Sequence, residues 1–421
     1  MNVIIIGGGT GGLALAQGLG RSGVPVEVYE RDTAADSRWS GYRIHINPVG
    51  ARALHACLPP RTWQEFLATS GPGGDFGFLT DRLDELLVIE ESIMYPGGAL
   101  PEQGHYAADR ATLRRLLTSG LDDVLHHGAT CVEHQRLDDG RIRAHFADGR
   151  TAVADVLIGA DGASSAVRRQ YLPEVRVGDI GVVSVGHKVW LTDRARAALP
   201  ARLTTGMNVI NAGALVTMFT SVFEPPPAVS PPYLLCAVIA RPDLLPPDLL
   251  QLDDGALRAA VDVLLARWHP ALRAALAETE PVARNAIAFR ATGPLPPWQP
   301  SPVTVLGDAI HLMPPVGGLG GNTALRDAHL LTRQLTAAHR GELDLSSAIG
   351  TYEADMRDYG PAAVRRAVAD AERVLTGGPV AALGTRSWFR LCAALPPLRR
   401  RSFASEWTTP ATPREWELAA A

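Results

Sequence analysis

Lysine is nearly absent from this chain of 421 residues: of 40 basic side chains, only Lys188 is a lysine. Forty-four acidic residues offset the basic ones, for a formal net charge of −4, so there is no surplus that would point to a nucleic acid partner. Cysteine is also scarce. Cys57, Cys131, Cys236 and Cys392 are widely spaced and form neither a CxxC pair nor a Cys/His ligand pattern, which argues against a disulfide framework, a zinc site or any other metal centre. Buried free thiols are the expectation. Long apolar runs are missing: no stretch approaches the roughly 20 residues of a membrane span, and the short run before the first glycines lacks the basic flank of a signal peptide. These absences predict a cytoplasmic protein with no transmembrane segment. What is present is 46% hydrophobic and 20% charged, enough for a sizeable core, and the length suggests two or more domains.

The most informative stretch lies at the start, where the apolar run Val3-Ile4-Ile5-Ile6 passes directly into Gly7-Gly8-Gly9-Thr10-Gly11-Gly12 and then a helical pattern. The spacing is GxGxxG. Gly7 takes the tight turn, Gly9 lets the backbone approach a pyrophosphate, and Gly12 allows the helix to pack on its strand. A second apolar run, Val24 to Tyr29, ends at Glu30, where an acid can hydrogen-bond a ribose diol and disfavours a 2′-phosphate. Strand, turn, helix and acid together predict a bound adenine dinucleotide, with Arg31 beside the acid in the cofactor-binding set.

Farther along, a polar loop runs through Trp39 and Gly41 to a short predicted strand, Tyr42 to Asn47, and a helix is expected over Val49 to Leu58. Residues 71–104 read as an inserted β excursion, with strands at Phe76 to Leu79 and Leu86 to Ile89 between the breaks at 71–74 and 96–98. A helix starts near Asp109, whose carboxylate is placed to cap it. Strands at Ile142 to Phe146 and Thr151 to Val153 flank an Asp148-Gly149 turn. Ala154 to Arg168 then repeats the opening grammar, a buried strand running into Gly159-Ala160-Asp161-Gly162 and a helix. Residues 179–290 are strand-rich, with strands at Ile180 to Leu191, Met207 to Ile210, Ala214 to Phe223 and Tyr233 to Ile239, and a helix over Leu257 to Ala277. A last buried strand, Val303 to Leu306, leads into Gly307-Asp308, with helices expected over Thr323 to Leu335 and Thr351 to Ala371. The closing segment through Trp388 to Arg401 reads as a basic amphipathic helix, packed across the domain junction in preference to lying on a membrane surface.

Three separated pieces combine: the first glycine turn with Glu30, Gly159-Ala160-Asp161-Gly162, and Gly307-Asp308-Ala309-Ile310-His311-Leu312-Met313-Pro314-Pro315 followed by Gly317-Gly318-Leu319-Gly320-Gly321-Asn322 and Asp327. In this order, over residues 1 to about 335, the chain resembles the class A flavin-dependent monooxygenases, the group of para-hydroxybenzoate hydroxylase. The resemblance implies an α/β fold: a Rossmann-like FAD-binding domain of the GR2 type (residues 1–70, 105–178 and 291–372), an inserted mixed β-sheet substrate domain (71–104 and 179–290) and C-terminal helices (373–421). It implies non-covalent FAD held by Gly7, Gly9, Gly12, Glu30, Arg31, Arg43, Arg110, Asp161, Gly307, Asp308, Gly320, Gly321 and Asn322. Arg110 corresponds to the family's pyrophosphate arginine, and Asp308 to the acid that holds the ribityl chain. Arg43 stands where the family often has glycine, so it could bind phosphate, guide a nicotinamide cofactor, line the pocket or be structural. Asp161 could equally be a helix cap.

Such enzymes take electrons from NADPH or NADH and react with O2 through a flavin C4a-hydroperoxide, so the protein supplies orientation and a dry pocket rather than a nucleophile or metal. No catalytic side chain is identified; Pro314, Gly317 and Gly320 of the late loop are candidates for placement beside the ring. The expected reaction is hydroxylation or epoxidation of a hydrophobic aromatic or polyketide-like molecule by a monomer or homodimer. A non-redox cyclase or binding protein that keeps FAD structurally uses the same cradle and remains the alternative. A flavin-dependent halogenase fits less well, because the sole lysine lies outside the FAD motifs and no Trp-x-Trp segment occurs.

Overall fold

The computed structural model describes residues 1–33, 43–96, 100–211, 214–227, 229–277, 285–375 and 379–404. The loop through Trp39 and Gly41, Tyr42, Gly97 and Gly98 lie outside the described residues. A five-stranded sheet runs in the order Val303–Val305, Val156–Gly159, Val3–Ile6, Val26–Tyr29, Leu125–His126, all neighbours parallel. Its central strands are apolar without alternation, as a sheet covered on both faces requires: Val3 to Ile6 and Val156 to Ile158 are all buried. Helix Thr10–Arg21 packs on one face and against helix Leu319–His339, so close that a Cβ at Gly18 would meet the Thr332 hydroxyl. A three-stranded antiparallel sheet, Cys131–Arg136, Ile142–Phe146 and Thr151–Ala154, is formed by the expected hairpin and one further strand.

The second large sheet has seven strands, in the order Asn285–Thr292, Val177–Trp190, Tyr233–Ala240, Val216–Phe223, Met207–Ile210, Phe76–Leu79, Glu85–Ile89. It is antiparallel except where Met207–Ile210 runs parallel to Phe76–Leu79. Side chains alternate between its faces with the period of two that a pleat imposes. Val183, Met218 and Val238 point to a core closed by helices Asp254–Leu264 and Pro270–Ala277 through Leu257, Val261 and Leu272. Their neighbours Val182, Phe219 and Ile239 point the other way, toward Val316 and the long helix Leu345–Leu375.

Three expectations change. The helix foreseen over Leu257 to Ala277 is two helices, broken where Pro270 disfavours helical geometry at its predecessor and buried Trp268 fills the core. The helix foreseen from Thr323 begins at Leu319, so Gly320, Gly321 and Asn322 form its first turn instead of a loop before it. Gly71–Pro72 does not join the large sheet but pairs with Tyr106–Asp109, which also pairs Arg43–Ile46 in a small antiparallel sheet. No helix among the described residues is long and apolar enough to cross a membrane.

Candidate functional site

The parallel sheet grows in one direction from Val3–Ile6 to Val26–Tyr29 and in the other to Val156–Gly159, so the loops leaving the two central strands diverge. Such a switch point leaves a crevice at the carboxyl ends of the strands. Gly7 and Ala160 meet there. Gly7 has φ of 111°, and a Cβ on it would lie 2.3 Å from the Ala160 carbonyl oxygen. At Gly12 a Cβ would lie 2.2 Å from the Gly7 oxygen. Gly9 is different, since a Cβ there would meet nothing within 4 Å. The helix that begins after it has no side-chain cap, so its first-turn amides and the positive end of its dipole remain for an anionic group.

Glu30 is buried and fixes the turn from the next strand: one carboxylate oxygen accepts from the Gly8 N–H at 2.7 Å and the other from the Asp32 N–H at 2.9 Å. Arg31 is exposed. Helix Arg110–Thr118 starts from Asp109, whose carboxylate accepts from the Thr112 N–H as its sequence position requires. Arg110, exposed at its first position, is near enough to Asp308 to pull that carboxyl's pKa down. Arg114, one turn later on the same face, was not singled out from sequence. Its Nη1 donates to the Gly8 carbonyl at 2.5 Å, while its buried Nε and Nη2 have no protein partner. The available signal was the i, i+4 spacing from Arg110.

Asp161 caps the following helix: its Oδ2 accepts from the Ala166 and Val167 amides, and its buried Oδ1 has no partner. Arg168 reaches from that helix to the Ala309 carbonyl at 2.9 Å and ties the second glycine turn to the third. At the third, Gly307 has φ of 61° and donates its N–H to Asp327 at 2.8 Å. Asp327, fully buried, also accepts from Tyr359 O–H at 2.5 Å and pairs with His311 Nε2 at 2.6 Å. Burial alone would lower the His311 pKa; the Asp327 charge and hydrogen bond outweigh it and the net shift is upward. The carboxyl of Asp308 is reachable by solvent yet enclosed by protein, as on the floor of a cleft. That enclosure raises its pKa, against the pull of His311 and Arg110.

Gly317 and Gly318 take φ of 70° and 66°, and helix Leu319–His339 starts from Gly318 without a side-chain cap. Gly320 faces the acid: a Cβ on it would lie 4.0 Å from Asp308 Oδ1. Asn322 is used internally. Its Oδ1 accepts from Asn47 N–H at 3.0 Å, and its Nδ2 donates to His45 O at 2.8 Å and Gly318 O at 2.7 Å, locking the late loop to the strand Arg43–Ile46. Gly321 lies near Ile44, and Pro314 accepts a turn bond from Val316. Val316 then meets the apolar sheet face of Phe219, Ile239 and Phe289. Arg43 is buried, donating Nη2 to Gly73 O at 2.7 Å with Nε unpartnered, and burial lowers its pKa to about 10. Lys188 lies over the rings of Trp190 and Tyr233, at 4.4 and 4.1 Å from their centroids. All four cysteines are buried and free, and among the described residues no cluster could hold a metal ion.

The profile of the FAD binding domain family matches residues 253–367. A dual O-methyltransferase/FAD-dependent monooxygenase of Phaeosphaeria nodorum is 30% identical over 398 residues, 85% of this chain but 42% of that protein. This chain spans less than half the length of the first fungal relatives it matches. An FAD-dependent urate hydroxylase of Mycolicibacterium vanbaalenii is 29% identical over 338 residues, 78% of each chain. A solved Photorhabdus luminescens structure, provisionally described as an FAD-containing monooxygenase, is 34% identical, with a TM-score of 0.81 over 89% of this chain and 98% of that one.

Proposed function

The chain belongs to the family of FAD-dependent monooxygenases, and we propose that it inserts one atom of O2 into a hydrophobic aromatic or polyketide-like molecule, with NADPH or NADH as reductant. The balance is substrate, O2, NAD(P)H and a proton giving hydroxylated substrate, water and NAD(P)⁺. The observation that carries this reading is the chain of neighbours from the first glycine turn to the late loop: helix Arg110–Thr118 reaches Gly8 through Arg114 and the enclosed Asp308 carboxyl through Arg110, and Gly320, four residues past Val316 and its apolar sheet face, faces Asp308.

The residues fit FAD. The open face at Gly9 and the two buried, unpartnered donors of Arg114 suit a pyrophosphate, and the Glu30 carboxylate, held by the Gly8 and Asp32 amides, stands at the end of the second strand where a ribose diol would be held. Arg110 stands near Asp308, which would accept from a ribityl hydroxyl of the bound cofactor. The free amides at the start of helix Leu319–His339 supply donors for the electron-rich edge of the ring. When bound, the flavin supplies the redox chemistry that activates oxygen. Val316, Phe219, Ile239 and Phe289 exclude water from the opposing face and orient an apolar substrate.

The test is turnover with a panel of polycyclic phenols under 18O2, following NAD(P)H oxidation and product mass. The expected product carries one 18O atom for each NAD(P)H consumed. Isomerisation of a panel member without oxygen uptake would replace this reading with the non-redox one.

A further inference from the structure

The helices Pro379–Ala394 and Pro396–Phe403 carry apolar side chains on two sides. The inner side closes the edge of the seven-stranded sheet: Phe389 stacks on Phe78 with ring centroids 4.1 Å apart, and Phe389, Cys392 and Phe403 are buried with Leu86 and Ile89. Two arginines fasten it. Arg386 Nη2 donates to Asp81 Oδ1 at 3.2 Å and Asn211 Oδ1 at 3.1 Å, and Arg399 Nη2 pairs with Glu90 Oε1 at 3.0 Å. That packing uses one side only. The outer side stays apolar where a helix lying on a protein turns polar residues to water: Val380, Leu383, Trp388, Leu391 and Leu395 are all exposed, from 44% at Trp388 to 84% at Val380. At 3.6 residues per turn the first four share an arc of about 140° opposite Phe389, and Leu395 continues the strip past the helix end. Gly384 and Ser387 lie within the arc. An added Cβ on Gly384 would meet nothing within 4 Å, and the Ser387 hydroxyl donates to the Leu383 carbonyl at 2.9 Å, so neither interrupts the strip with an unmet polar group.

The strip is set in positive charge. Residues 379–404 contain five arginines and no acid, within a chain whose formal net charge is −4. Arg386 and Arg399 are committed inward, whereas Arg390, Arg400 and Arg401 are exposed and in no ion pair among the described residues. Arg390 stands about 20° from Leu383 around the helix, at the margin of the apolar arc. We propose that this face docks on an anionic lipid surface, with the apolar strip entering the boundary between headgroups and acyl chains and the three outward arginines meeting lipid phosphates.

Contiguous exposed apolar side chains rimmed by polar ones mark an interaction surface, and here the charge chooses the occupant. A second copy of the chain docked through the same patch would find no acid in it to answer the arginines. An anionic bilayer answers all of them at once. The strip is a ridge one helix wide, a shape that a deformable headgroup layer accepts. Trp388 and the arginines are the residue types that hold an amphipathic helix there, the indole at the apolar boundary and the guanidinium groups reaching outward on their stems. Attachment of this kind needs no spanning helix, and none occurs among the described residues. The inference does not depend on the reaction proposed above.

The test floats the FAD-loaded chain on a density gradient with vesicles of phosphatidylcholine alone, or of phosphatidylcholine and phosphatidylglycerol at about 7:3. Partition onto the anionic vesicles is expected to be at least tenfold stronger, and to fall as added salt shortens the screening length. The double variant Leu383→Asp, Leu391→Asp changes exposed positions only, so it should keep its FAD content and melting temperature while losing the vesicles. Each arginine near an anionic surface is worth about fivefold in partition, so Arg390→Gln, Arg400→Gln and Arg401→Gln together should weaken it on the order of 100-fold. No partition onto either vesicle, equal partition onto both, or partition that survives the two aspartates overturns the proposal. Sedimentation velocity reads the other occupant: a dimer that the aspartates dissolve overturns the lipid assignment in favour of a second copy, and monomers throughout, with the vesicle pattern above, support it.

Discussion

Replacing Asp327 with asparagine tests how the third glycine turn is held. Asp327 is completely buried and serves three donors at once: Gly307 N–H, Tyr359 O–H and the His311 Nε2. An amide of the same shape offers one acceptor oxygen and turns its NH2 toward a group that also donates. Removing one partner of a buried ion pair costs about 3 to 5 kcal/mol, since the other charge is left uncompensated. A single hydrogen bond to a charged acceptor is worth about 1.5 to 3 kcal/mol, so charge loss dominates, and the expected destabilisation at pH 6 is about 3 to 5 kcal/mol. The pH dependence has a defined sign. His311 has a raised pKa in the folded protein, so the stability linked to its charging is complete below its unfolded value of about 6.5 and is lost as pH rises through the folded value. In Asp327→Asn both Asp327 contributions are lost, leaving burial, the largest cause, opposed only by Asp308 and a backbone hydrogen bond; the charged ring is then disfavoured, so the gap between the two proteins is widest in acid and narrows in alkali. Guanidinium unfolding of both proteins, followed by far-UV circular dichroism between pH 5.5 and 9, measures it. A loss below about 1 kcal/mol, or a gap independent of pH, would refute the reasoning.

The two glycines of the first turn should separate fold from cofactor binding. Gly9→Ala places its Cβ in open space at an ordinary φ of −79°, so apo stability should stay within about 0.5 kcal/mol while FAD affinity drops at least tenfold. Gly12→Ala drives a Cβ against the Gly7 carbonyl and should leave little folded protein on a thermal melt. Arg114→Ala removes the donors beside Gly8; a loss of about 1.5 to 3 kcal/mol in FAD binding by fluorescence quenching is expected, and unchanged affinity would assign the side chain to structure alone.

The elements that were legible in the sequence are those written in local spacing. Gly7, Gly12 and Glu30 follow from one strand, turn and helix, and the structure places Gly7 against Ala160 and Glu30 on the Gly8 amide. The alternating strands of residues 179–290 were readable because one face of their sheet packs on Leu257 and Val261 and the other faces Val316. Contacts across the chain were not readable. Asn322 looked like a cofactor residue in a glycine loop, yet its side chain is occupied by His45, Asn47 and Gly318, more than 270 residues away in the first two cases. Hydrogen bonds likewise join Tyr95 to His45, His45 to His105 and His105 to Glu91 across a strand, a short helix and a turn, and no spacing rule connects them. The late helix was foreseen four residues too far along because Gly320 and Gly321 are poor helix formers, and helix Leu319–His339 includes them by tertiary packing against Arg43–Ile46 and Thr10–Arg21.

The central claim is that one cofactor bridges the opening glycine turn and Asp308. It is tested most directly by measuring the affinity of apoprotein for FAD and for ADP, in wild type and in Asp308→Ala. The account predicts that the variant binds ADP as wild type does but binds FAD at least tenfold more weakly. Equal weakening of both ligands, or full retention of FAD by the variant, would contradict it.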